Sequence, residues 1–251
     1  MLPEIIASTA LVPMIFYVLK YNRVLGALGW VIFATASLIK GFEFLNSADY
    51  YNSILFLISG LFFLILSKSV ISSRSRVMVE VTSFSVLSCA IYFPFVFFEF
   101  LNTFIIEKTA YLSSQLGNVL GFPIIVEGRV LELNESYVEI ILPCTAIESI
   151  SLFTGATLGI KAESSRKIKA FLISVPVIYF LNLLRNLFVL LSFSYSWFGE
   201  NSFYIAHNLI SKILATFALI IITYVVFRVL PELAELIYSL KNEILKGVRI
   251  D

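Results

Sequence analysis

The sequence predicts an all-α polytopic membrane protein of about seven transmembrane helices, with a small extracytoplasmic β-meander before the fifth. Composition is the first reason: 59% of the 251 residues are hydrophobic, 14% are charged, and mean hydropathy is +0.93. A water-soluble domain carries about 25% charged residues, so water is not the main solvent of this chain. The second reason is that apolar runs recur between short polar breaks, and roughly 20 apolar residues in a helix cross a ~30 Å hydrocarbon core. The third is that Lys and Arg alternate between dense and sparse breaks, as they do in a chain that crosses repeatedly.

The spans are expected at residues 4–19, 24–39, 54–66, 81–105, 144–160, 170–195 and 206–229, the first three cores extending into their flanks. No basic residue precedes the first run, and Glu4 stands where the positive region of a signal peptide would be; the run is expected to remain as a helix. One alternate set of breaks holds Lys20, Arg23, Lys68, Arg74, Arg76, Lys161, Arg166, Lys167, Lys169, Arg228, Lys241, Lys246 and Arg249, whereas the other holds Lys40, Lys108 and Arg129. The positive-inside rule then puts the N-terminus outside and the C-terminus in the cytoplasm of a multi-pass plasma-membrane protein, with parity satisfied by seven crossings.

Residues 1–230 are expected to form a single integral membrane domain, and the long break 107–142 to be its extracytoplasmic loop. Within it, short β-favouring runs at 124–126, 130–133 and 138–142 are separated by Glu127–Gly128 and Asn134–Glu135, which reads as a meander. In the tail 231–251, Leu233, Leu236, Ile237, Leu240 and Ile244 share one helical face, so a cytoplasmic amphipathic helix is expected; a solvated helical tail is the alternative.

Ionisable and reactive groups inside spans are costly, which makes them candidate functional residues. Cys144 follows Pro143 at the outer start of the fifth expected span, where a helix N-terminus favours a thiolate. The alternative is a small buried hydrophobe. Arg185 lies inside the sixth span with no acidic residue near it in that segment, either as a functional cation or as a charge that holds the bundle together. His207, the only histidine, opens the seventh span; an isolated interfacial histidine is more often structural. Counting about 1.5 Å per residue from the cytoplasmic ends, Cys144 rises about 25 Å, Arg185 about 24 Å and His207 about 32 Å, so all three reach one outer layer. Cys89 falls in the cytoplasmic half of the fourth span, which argues against a disulfide between the two cysteines.

A thiol, an imidazole and a guanidinium suffice for acyl transfer. Cys144 would attack a peptide carbonyl, His207 would protonate the leaving amine and Arg185 would stabilise the oxyanion. Glu148, one helical turn below Cys144 and facing the same side, could orient His207 or serve as counter-ion to Arg185; the second role is preferred because an unpaired arginine in a membrane is costly.

Pro143–Cys144–Thr145–Ala146, Asn182 and Arg185 in the next span, and His207 at the start of the one after resemble the archaeosortase/exosortase family of membrane-embedded sorting transpeptidases. The resemblance covers residues 138–212, and Thr145–Ala146 after the cysteine leans toward an archaeosortase-like branch. It implies a nucleophilic Cys144, a site completed by Arg185 and His207, and a supporting Asn182. It also implies substrates that are secreted proteins ending in a short motif, a transmembrane helix and a basic tail, cut just outside the membrane and passed to a lipid or other amine acceptor.

Three other readings compete: a non-catalytic membrane scaffold or chaperone, a transporter whose path these polar residues line, and a simple endoprotease with water as acceptor. No cofactor or nucleic-acid partner is expected, and one His with two Cys leaves too few ligands for a structural zinc site.

Overall fold

The computed structural model describes residues 2–72 and 75–248. Arg74 and Arg249, two of the basic residues in the topology argument, lie outside the described residues. The chain forms two compact units. One comprises Met1–Phe93, Thr154–Ser164 and Leu230–Asp251; the other comprises Pro94–Phe153 and Ser165–Val229.

The first unit is helical. Helices α1 (Leu2–Thr9) and α2 (Leu11–Lys20) form one apolar stretch interrupted at Ala10. Pro13 cannot donate to the carbonyl four residues back, which accounts for the interruption. Helices α3 (Arg23–Asn46) and α4 (Tyr50–Ser72) form a hairpin. Ala48 turns it at φ 59°, and Asp49 accepts from Asn52 N at 3.2 Å. Lipid offers no hydrophobic drive between helices, so small polar side chains join them instead. Ser37 Oγ donates to Phe56 O at 2.8 Å, and Ser67 Oγ to Ala27 O at 2.9 Å. Buried Trp30 donates to Thr82 Oγ1, 3.1 Å away in α5 (Arg76–Phe97).

The closest approach in this unit is at Gly155, where a Cβ would collide with Ser88 Oγ and fall 2.7 Å from Phe84 O. Gly155→Val is therefore expected to destabilise the protein by about 1–3 kcal/mol, the usual cost of overpacking. A lower unfolding temperature in detergent checks this; an unchanged one would mean that the two backbones separate freely.

The C-terminal helix α11 (Pro231–Val248) packs on α4 with Leu233 and Leu236 buried and Ile237 exposed, so its apolar stripe is only partly covered.

The second unit is built on α6 (Glu99–Val119), an antiparallel sheet of β1 (Ile125–Glu127), β2 (Val130–Leu133) and β3 (Ser136–Glu139), and α8 (Ser164–Ser194). Asn118 brackets Ile124, donating to its carbonyl at 3.2 Å and accepting from its amide at 2.8 Å; this aims the chain from α6 into β1. Leu131, Leu133, Val138 and Ile140 from the meander then form one apolar cluster with Ile106 and Ala110 of α6 and Leu187, Leu190 and Leu191 of α8. Ser194 Oγ donates to Leu133 O at 2.8 Å, tying the end of α8 to β2.

Among the described residues, six helical stretches are long and apolar enough to cross a membrane: Leu2–Lys20, Arg23–Asn46, Tyr50–Ser72, Arg76–Phe97, Ser164–Ser194 and Gly199–Val229. The all-α membrane fold and its three-stranded meander agree with the sequence reading. Three boundaries do not. The expected span 81–105 ends at Phe97, because Phe98 is extended (φ −98°, ψ 109°) and Asn102 Nδ2 takes the Phe95 carbonyl at 2.8 Å. The expected loop 107–142 begins with the second half of α6. The expected fifth span, 144–160, is a 3₁₀ turn at Leu142–Thr145 followed by α7 (Ile147–Leu158), whose 12 residues span only about 18 Å.

Candidate active site

Cys144 does not open an α-helix. Pro143 leads a 3₁₀ turn, Ala146 adopts the left-handed conformation (φ 59°), and α-helical geometry begins at Ile147. The assumption that Cys144 and Glu148 share a helical face one turn apart fails for that reason: Ala146 breaks the register between them.

What fixes Cys144 is α8. Asn182 Nδ2 donates to the Cys144 carbonyl at 2.7 Å and Asn186 Nδ2 to the same oxygen at 3.0 Å. The two asparagines are four residues apart, so they lie on one face of the helix, and both are buried. The carbonyl's two lone pairs are thereby saturated in an apolar setting, where leaving one open is costly. Cys144 is 7% exposed and is itself a buried member of the apolar cluster.

Between the two asparagines in sequence, Arg185 points elsewhere. It lines a cavity of about 590 Å³ together with Pro143, Ala146 and Glu148 from around the turn, Asn182, and Ser211. Its Nε is buried without a hydrogen-bond partner. The opposite part of the cavity is apolar, with Ile178 on α8 and Leu214, Ala218 and Ile222 on α10 (Ser211–Val229).

His207 stands on a π-helical segment, Ile205–Ile210, between the short helix α9 (Ser202–Tyr204) and α10. Such wide turns redirect side chains and recur at functional sites. Its ring stacks on Phe203, 5.3 Å between centroids, and Nδ1 lies 3.3 Å from Asn208 Oδ1. With the proton on Nδ1 donated to that amide oxygen, Nε2 keeps a free lone pair.

The structure thus brings Asn182, Arg185, Glu148 and the residues flanking Cys144 around one cavity. Neither Cys144 nor His207 is among the residues that line the cavity. Two polar residues escaped sequence reasoning. Asn186 could have been found as a second amide four residues after Asn182 in an apolar span. Ser211, one turn after His207, is 1% exposed with its hydroxyl unpartnered. No cluster of His, Cys, Asp and Glu able to hold a metal ion occurs among the described residues.

The model of the transmembrane exosortase (Exosortase_EpsH) family matches residues 6–226, most of the chain. The chain belongs to the exosortase family. Among curated proteins, this exosortase-family chain is 33% identical to Archaeosortase A of Haloferax volcanii, over 43% of the chain and 44% of that protein. It is 28% identical to Archaeosortase A of Natronomonas pharaonis, over 45% of the chain and 40% of that protein. The chain therefore spans less than half the length of either relative in the matched region. No solved structure matches. Family and helices together make this a multi-pass membrane protein.

The paired asparagines give a testable redundancy. Asn182→Ala or Asn186→Ala alone is expected to be mild, because the other amide still satisfies the Cys144 carbonyl. The double variant orphans a buried acceptor, at a cost of about 1–3 kcal/mol. Unfolding temperatures of the four proteins form the cycle that checks it; additive losses would deny that the amides share a role.

Proposed function

We propose that this exosortase-family chain is a membrane-embedded cysteine transpeptidase that cleaves the C-terminal sorting signals of secreted proteins and transfers the new C-terminus to a lipid or other amine acceptor. The observation that carries this reading is the double amide clamp on the Cys144 carbonyl beside an arginine whose Nε is buried and unengaged. A structural arginine in an apolar unit is expected to spend its donors on fixed acceptors, whereas one that serves an oxyanion keeps a donor in reserve. The two relatives named Archaeosortase A support the same assignment.

In this mechanism Cys144 Sγ gives its proton to His207 Nε2 and attacks the scissile carbonyl carbon as a thiolate, while Arg185 donates to the developing oxyanion. Collapse of the intermediate breaks the C–N bond; His207 delivers the proton that the departing amine needs, and a thioester remains on Cys144. The acceptor amine then attacks the thioester and displaces the thiol. Glu148, on the same cavity, balances the Arg185 charge. Asn182 and Asn186 are positioning residues that act through the Cys144 backbone.

The proposed orientation puts Cys144 at the outer face with the C-terminus in the cytoplasm. Helix α7 alone rises about 18 Å, which carries the chain more than half way across a ~30 Å core. Reporter fusions after Glu135 and after Lys167 are expected to register external and cytoplasmic locations; the reverse would remove the outer-face site. Deleting the gene tests the function itself. Secreted proteins with the motif, helix and basic tail should then accumulate uncut, and unchanged processing would refute the assignment.

A further inference from the structure

The segment that delivers Cys144 is an unpaired sheet edge. The strand order β1-β2-β3 leaves β3 paired on one side only. Its register, Val130↔Glu139 through Leu133↔Ser136, together with the Ile140 N to Arg129 O bond at 2.9 Å, fixes which groups point where. Directly opposed residues alternate between hydrogen-bonded and non-bonded pairs. Because Arg129 and Ile140 are a bonded pair, Leu131–Val138 and Leu133–Ser136 are bonded too, whereas Tyr137 and Glu139 direct their N–H and C=O groups away from β2. Among the described residues, no backbone group pairs with them on that side.

The side chains agree. Val138 and Ile140 are buried in the apolar cluster, whereas Tyr137, Glu139 and Ile141 are exposed. Ile141 continues the extended path (φ −117°, ψ 168°), and its carbonyl accepts from Cys144 N at 2.8 Å. From Glu139 to the turn at Leu142 is roughly 10 Å, or three residues of an added strand.

Building on the cleavage reading above, we propose that the outer edge of β3, at Tyr137 and Glu139, pairs as a β-strand with the extended segment of the peptide to be cleaved and leads its scissile amide to Cys144. A helical substrate hides its backbone amides, so a nucleophile needs the chain extended, and an open edge supplies donors and acceptors at the required spacing. Backbone pairing grips independently of sequence, which leaves motif selection to side chains elsewhere. The edge is short, which limits unwanted pairing between copies.

Proline provides the test, because it removes a backbone N–H and is tolerated on edge strands when that N–H faces away from the sheet. The probe is the C-terminal tail of whichever secreted protein stays uncut in Cys144→Ala cells. If none does, the cleavage reading fails and this inference with it; if one does, the edge is tested separately. Glu139→Pro and Tyr137→Pro are each expected to raise KM about tenfold with kcat little changed, the size of effect expected on losing one hydrogen bond. Arg129→Ala, which loses the same ion pair with Glu139 but leaves every N–H of β3 in place, should bind the probe as the wild type does. Amide exchange on the Cys144→Ala protein, which needs no proline, should slow at Tyr137 and Glu139 when the probe is bound. Equal KM for the Pro and Ala variants, or unchanged exchange at both amides if the Pro variants do not fold, would overturn the proposal.

Discussion

Cys144→Ala is expected to abolish cleavage, with a loss on the order of 10⁴-fold or more, while Cys89→Ala leaves the rate at the wild-type level. The two cysteines are both free, but their settings differ. Cys144 has its carbonyl held by two buried amides, and its neighbours Pro143 and Ala146 line a cavity with Arg185 and Glu148. Cys89 lies within α5 in the other unit and has no such surroundings. Removing one sulfur from an apolar cluster costs about 1 kcal/mol, too little to explain a complete loss through unfolding. Membrane abundance should therefore be normal for both variants. Cys144→Ser is expected to retain a trace of activity at most, because a hydroxyl is far harder to ionise than a thiol. Equal cleavage by the wild type and Cys144→Ala would eliminate the thiol mechanism.

Arg185→Lys is expected to accumulate normally and to cleave at least about 100-fold more slowly, the loss expected on removing one oxyanion donor. The charge is retained, so a bundle that needs only a cation opposite Glu148 would accept the substitution. The planar fork is not retained. Lysine carries three rotating donors on a flexible stem and cannot reproduce a fixed Nε–H direction. The buried, unpartnered Nε makes this position the sharpest place to separate the two roles. Cleavage and protein level are measured in the same cells. Normal cleavage by the lysine variant, or a loss only in proportion to protein level, would return Arg185 to a structural part and leave Cys144 and His207 as the remaining pair.

Much of this architecture can be read from hydrophobic runs, because in lipid the backbone must satisfy itself and long apolar segments have no alternative to helix. The meander was legible for a different reason: Gly128 and Asn134 interrupt β-branched runs at hairpin spacing, and both take positive φ in the structure. The failures share a physical origin. Helix α6 runs on past residue 107 through Glu107, Lys108 and Gln115, and its buried face is made of Thr109, Ala110, Ser113, Ser114 and Gly117. Small polar residues pack closely between helices, yet a hydropathy pattern scores them as loop. The break at Phe98 depends on the Asn102 side chain reaching the Phe95 carbonyl, a contact no window average detects. Cys144, Arg185 and His207 stood out as chemistry in apolar sequence. Asn186 offered only its four-residue spacing from Asn182, and Ser211 offered nothing, because the want of a partner is seen only in three dimensions.

The central claim is that Cys144 becomes covalently bonded to the carbonyl carbon of its substrate. Intact-mass measurement of the purified protein, incubated with a substrate tail and quenched in acid before the acceptor amine is added, tests this directly. The account predicts an adduct equal to the upstream fragment joined as a thioester with loss of water, mapped to Cys144, released by hydroxylamine and absent from Cys144→Ala. Cleavage that proceeds with no adduct on Cys144, and at the same rate when Cys144 is alanine, would contradict it.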